Sequence, residues 1–80
     1  MTTEQVIVWN LINRYIARYD FSVVELTADA NWCYVKLKGL NLPPQDVRTI
    51  LLLPDVIHEI AFQNRLTPDV MKKVDEVITG

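Results

Sequence analysis

Chemistry in this chain would have to come from very few residues. It has one histidine, His58, and one cysteine, Cys33. A histidine works as a general base only with a nucleophile or acid placed against it. The helical neighbours of His58, Asp55 and Glu59, form no such constellation. Cys33 lies in an alternating stretch, on the side expected to face a core, with no cation beside it to favour a thiolate. A lone cysteine gives neither an intramolecular disulfide nor a metal-ligand spacing. With Gly39 and Gly80 the only glycines, there is no glycine-rich phosphate loop. No catalytic residue, metal site or cofactor is assigned, and a non-enzymatic protein is expected.

The residues with the most to offer are those of NWCYVKLKGL, Asn31 to Leu40. Alternation places Trp32, Tyr34, Lys36 and Lys38 on one face of a strand and Cys33, Val35 and Leu37 on the other. Aromatics with cations at their rim make interface anchors. The same mixture, as a stacking platform, also suits single-stranded nucleic acid. Against the second use, eight Lys and Arg stand against ten Asp and Glu, a net charge of −2. General affinity for nucleic acid needs an excess of cations to displace counterions. Nucleic-acid binding through Trp32, Tyr34, Lys36 and Lys38 is therefore the alternative, and protein binding the first expectation.

These residues need elements to hold them. Thr2 and Gln5 have the spacing of a capping box, opening a helix in which Val8, Leu11, Ile12, Tyr15 and Tyr19 share a stripe. Asp20 is expected to end it. Phe21 to Thr27 is rich in β-branched and aromatic residues. The small polar cluster ADAN, with Asn31 tolerant of positive φ, would turn the chain into the second strand. The expected faces pair Val24 and Leu26 with Cys33, Val35 and Leu37. Phe21 and Val23 then join Trp32 and Tyr34.

After Gly39 three segments, LPPQDVRTI, LLPDVIHEI and LTPDVMKKV, each place proline near an acidic residue. Proline lacks the N–H that a first helical turn leaves unpaired, and the acid complements the helix dipole. The pattern predicts helices over about Pro44 to Leu52, Pro54 to Asn64 and Pro68 to Thr79. In the second of these Val56, Ile57, Ile60 and Ala61 make the core stripe, and Phe62 lies opposite, near His58. In the last, Val70, Met71, Val74, Val77 and Ile78 face inward. The expected fold is a single α+β domain over residues 1–80, in the order α-β-β-α-α-α, with a two-stranded antiparallel hairpin packed on short helices.

Over Val8 to Leu52 this layout of a helix, a hairpin and a Leu-x-Pro-started helix resembles the small docking domains of modular peptide synthetases. The resemblance implies binding of a short partner segment along the hairpin edge. Pro54 departs from it by interrupting where that family's final helix continues.

Half of the residues are hydrophobic, a high load for 80 residues. A chain of this size buries only about 60–65% of its unfolded surface, so apolar area is left to seek cover. Helices on both sides would sandwich the hairpin; helices on one side would leave Phe21, Val23, Trp32 and Tyr34 as an open strip. The candidate partner-binding residues are thus Phe21, Val23, Trp32, Tyr34, Lys36, Lys38 and Phe62, taking a protein partner or a second copy. The longest wholly apolar run, Ile50 to Leu53, is far short of a membrane span, and no leader-like N-terminal pattern is present. A cytoplasmic adaptor, assembly factor or inhibitor, of the kind mobile elements encode, is the expectation.

Overall fold

Thr2 opens the first helix as its spacing predicts. In the computed structural model, which describes Met1–Gly80, the Gln5 N–H donates to Thr2 Oγ1 at 3.1 Å and the Thr2 N–H to Gln5 Oε1 at 2.9 Å. Helix α1 spans Thr3–Ile16 and tightens into a 3-10 turn over Ala17–Tyr19. Asp20 stops it in the left-handed region, φ 58°, which a short polar side chain tolerates. The Asp20 carbonyl then accepts the Leu40 N–H at 2.7 Å, closing the hairpin at its open end.

Strands β1 (Phe21–Ala28) and β2 (Cys33–Gly39) pair antiparallel, as their composition predicts. The turn between them is built on Asp29, not on a positive φ at Asn31. Its Oδ1 accepts the Asn31 and Trp32 N–H groups, both at 2.8 Å. A carboxylate that caps two amides in this way replaces a special backbone conformation.

The pairing has one irregularity, and it changes which side chains face inward. Val23 lies opposite Leu37 and Glu25 opposite Lys36, so Val24 is an extra residue, a β-bulge. Val23 and Leu26 therefore both face the core, and Val24 is 48% exposed. The expectation that Phe21 and Val23 share the face of Trp32 and Tyr34 is overturned. Val23 is only 6% exposed, and Phe21 is half-buried and packed against the same core. Strict alternation fails here because the bulge resets the phase after Val23.

The stretch expected as a helix over Pro44 to Leu52 is a third strand, β3 (Val47–Leu52), antiparallel to β2. The sheet is a three-stranded meander in the order β1-β2-β3, and not a two-stranded hairpin. Two physical reasons outweigh the proline–acid signal. A residue before proline is pushed out of the helical region, a bias that acts at both Pro43 and Leu53. Leu53 has φ −71° and ψ 150°. Between them VRTILL is β-branched and alternates, with Ile50 and Leu52 buried and Val47, Thr49 and Leu51 exposed. The layout shared with synthetase docking domains thus lacks the helix on which that resemblance rested.

The other two proline signals do start helices. Helix α2 spans Pro54–Gln63 and ends at Asn64, left-handed at φ 54°. Helix α3 spans Pro68–Thr79, with Thr67 Oγ1 accepting the Val70 N–H at 3.3 Å. The fold is α+β, in the order α-β-β-β-α-α. One core fills the space between the helices and the sheet. Val8, Ile12, Ile16, Ile57, Ile60, Val70, Val74 and Ile78 come from the helices, and Val23, Leu26, Cys33, Val35, Leu37, Ile50 and Leu52 from the strands. All these strand residues point to one side. The three helices therefore cover a single face of the sheet.

Two polar ties fix α3 in this layer. Arg48, on the core side of β3, donates from Nη1 to the Val77 carbonyl at 3.0 Å and to that of Ile78, capping the helix C-terminus with a cation. Asp75 is half-buried and accepts hydroxyls from Tyr15 at 2.9 Å and Tyr19 at 3.3 Å. No helix is long and apolar enough to cross a membrane.

Candidate interaction surface

Because every helix lies on the core side, the opposite side of the sheet faces solvent. Trp32, just before β2, and Tyr34, Lys36 and Lys38 of β2 run down its middle. Register brings Val47, Thr49 and Leu51 beside them from β3, and Ser22, Glu25 and Thr27 from β1. Trp32 and Leu51 are 38% and 41% exposed. Val47 and Leu53 are exposed as well. The third strand thus widens the apolar strip that the hairpin alone was expected to carry. Val47, Leu51 and Leu53 do not stand out where a proline–acid start signal assigns Pro44 to Leu52 to a helix; alternation across VRTILL is the signal that finds Val47 and Leu51.

The polar groups of this face are already occupied. Lys36 Nζ pairs with Glu25 Oε2 at 3.1 Å, the cross-strand partner that register places opposite it. Lys38 Nζ donates to the carbonyls of Gly39 at 3.2 Å and Leu42 at 2.8 Å. The Tyr34 hydroxyl donates to Asp29 Oδ2 at 2.6 Å. That bond, with the Asn31 and Trp32 amides behind it, holds the Asp29 carboxyl below its ordinary range and raises Tyr34. At the strand edge, Lys73 Nζ on α3 reaches the Leu51 carbonyl at 3.0 Å. A lysine there guards an edge that would otherwise invite strand addition.

Beside Trp32 the face runs into an apolar groove of about 200 Å³, formed with Leu53, Val56 and Val70 and bordered by Asp69 and Lys73. Clefts for small molecules usually measure about 300–1,000 Å³, so this one suits a single side chain.

Phe62 lies away from this face. It does not fold back on α3 but stands 83% exposed, its ring 6.4 Å from that of His58. His58 Nδ1 in turn meets Glu4 Oε2 at 2.5 Å, joining α2 to the start of α1. Phe62 and the sheet face are therefore separate features. Cys33 is buried, at the base of a shallow depression between the start of α1, the Asp29 turn and α2. Burial pushes its thiol up, which disfavours a thiolate. No group of three or more His, Cys, Asp or Glu side chains converges at metal-binding distance.

Comparison with protein-family models, curated proteins and solved structures finds no match to this chain.

Proposed function

We propose that this protein is a small interaction domain that binds protein through the uncovered face of its sheet, without catalysis. The observation behind this reading is the one-sided placement of the helices, which leaves Trp32, Leu51, Leu53 and Val47 exposed and Tyr34 half-buried on the uncovered side. Contiguous apolar patches on a small domain mark association sites, and Trp and Tyr carry much of the energy where they occur. The mechanism is burial of this strip, with Lys36 and Lys38 beside it on the same face orienting the partner. A cytoplasmic adaptor, assembly factor or inhibitor is the role such a domain would serve. Phe62, exposed on α2, is a secondary contact point. The nucleic-acid alternative draws less support, because Lys36 and Lys38 are engaged with Glu25 and with backbone carbonyls.

A photo-activated cross-linker answers the question directly when placed at Thr49 on the sheet face and, as a control, at Lys72 on exposed α3. In producing cells, protein adducts are expected from position 49 and not from position 72. Equal labelling from both positions, or none from 49, removes the reading.

A further inference from the structure

The occupant of the uncovered face can be narrowed by its charges. Its ion pair, Lys36 with Glu25, is internal, and Lys38, Tyr34 and Asp29 satisfy one another or the backbone. Lys38, held only by neutral carbonyls, keeps its positive charge at one end of β2, and Asp29, held only by neutral donors, keeps its negative charge beyond the other, so a uniformly acidic or basic partner would meet a like charge at one end. The matching occupant carries no net charge, has apolar side chains of its own, and offers an anion where Lys38 stands and a cation near Asp29. The face itself has that character.

Its two ends are also complementary. At one end of β2 lies the apolar groove beside Trp32 and Leu53. Just past the other end, in the turn after Gly39, stands Leu40, 79% exposed. A two-fold axis lying between two such faces and across their strands reverses one sheet on the other. Each copy's Leu40 then comes over the groove of its mate, and both contacts form by the same symmetry. A standard interface takes about 800 Å² per partner, roughly a sixth of this chain's 5075 Å² surface.

From this we infer that the occupant is a second copy of the chain, in a sheet-to-sheet dimer with the helices outside and Leu40 of each copy seated beside Trp32 of the other. The inference rests on the interaction reading above and specifies its partner.

Sedimentation velocity of the purified chain up to about 100 µM, where a micromolar association is saturated, is the test. The wild type is expected to be a dimer. Thr49→Arg buries an unmatched charge at the centre of the face and is expected to weaken the dimer at least about a hundredfold. Leu40→Asp is expected to weaken it at least about tenfold, and Lys72→Glu on the helix side to leave it unchanged. All three positions are exposed, and circular dichroism verifies that each variant keeps its fold. A monomeric wild type, or a Thr49→Arg dimer as tight as the wild type, overturns the proposal. A Leu40→Asp dimer of wild-type affinity overturns the reversed seating. A monomeric wild type whose position 49 still cross-links a protein of another mass excludes the second copy and leaves the interaction reading standing. With no such adduct, both readings fall.

Discussion

Asp75 shows how one carboxylate can hold a helix layer together. It takes hydroxyl donors from Tyr15 and Tyr19, so α3 is tied to α1 by bonds that stripe analysis of either helix would not reveal. The hydrogen bond to Asp75, with burial and the carboxylate charge behind it, raises the Tyr15 hydroxyl to about 12 from its ordinary 10. A raised folded-state pKa contributes stability below the unfolded value and loses it as pH climbs from about 10 to about 12. In a tyrosinate absorbance titration the Tyr15 transition is expected near 12, and Asp75→Asn is expected to move it back toward 10. Asp75→Ala is expected to cost about 1 kcal/mol in urea unfolding at neutral pH. Asp29 has the opposite sign. Its lowered pKa means its contribution is present above the ordinary carboxylate range and is lost as pH falls through the folded value. Acid is therefore expected to loosen the β1–β2 turn before the core, seen as earlier amide exchange at Asn31 and Trp32 than at Val35.

Among the elements, β3 changes the most. It turns a ribbon that is marginal alone into a sheet with a true central strand. Ile50, 1% exposed, is its anchor, and Ile50→Ala is expected to cost about 2–4 kcal/mol, measured by chemical denaturation. Arg48 links the same strand to α3. Its guanidinium bonds the last carbonyls of that helix, pairs with Asp46 and lies 5.4 Å from the Phe21 ring centre. Arg48→Ala is expected to cost about 1–2 kcal/mol and to speed amide exchange in the last turn of α3, while leaving its first turn unchanged. The bulge at Val24 works on another axis. By shifting phase it brings both Val23 and Leu26 into the core and turns Val24 out, giving β1 the twist that β-bulges add.

For the whole molecule, the consequence is asymmetry. One side of the sheet carries every buried strand residue, and the other carries aromatic and aliphatic side chains with their polar neighbours already paired. A domain this small has only about 5–10 kcal/mol of stability to lose. Substitutions on the open side should separate association from folding. Leu51→Asp is expected to change the unfolding free energy by no more than about 0.5 kcal/mol. On the buried side, Val35→Asp is expected to unfold the chain, since a carboxylate there would have no partner. Thermal melts of the two, followed by circular dichroism, distinguish these outcomes.

The sequence alone determined whatever depends on neighbours a few residues apart. The Thr2 and Gln5 capping box, the stop at Asp20, the proline starts of α2 and α3, and the alternation of Trp32 to Lys38 are all local, and local sterics and hydrogen bonds decide them. It also carried the evidence for β3, in two prolines and an alternating VRTILL, although the proline–acid pattern competes with it. Tertiary structure decided the rest. The bulge that moved Val23 inward exists only as a pairing between two strands. The bonds of Tyr15 and Tyr19 to Asp75 and of Arg48 to the end of α3 join residues 29 or more positions apart. Whether the helices would sandwich the sheet or share one face was likewise not fixed by any stripe, because an amphipathic helix specifies that it buries a face but not which side of a sheet receives it. That choice is what left Trp32 and Tyr34 uncovered.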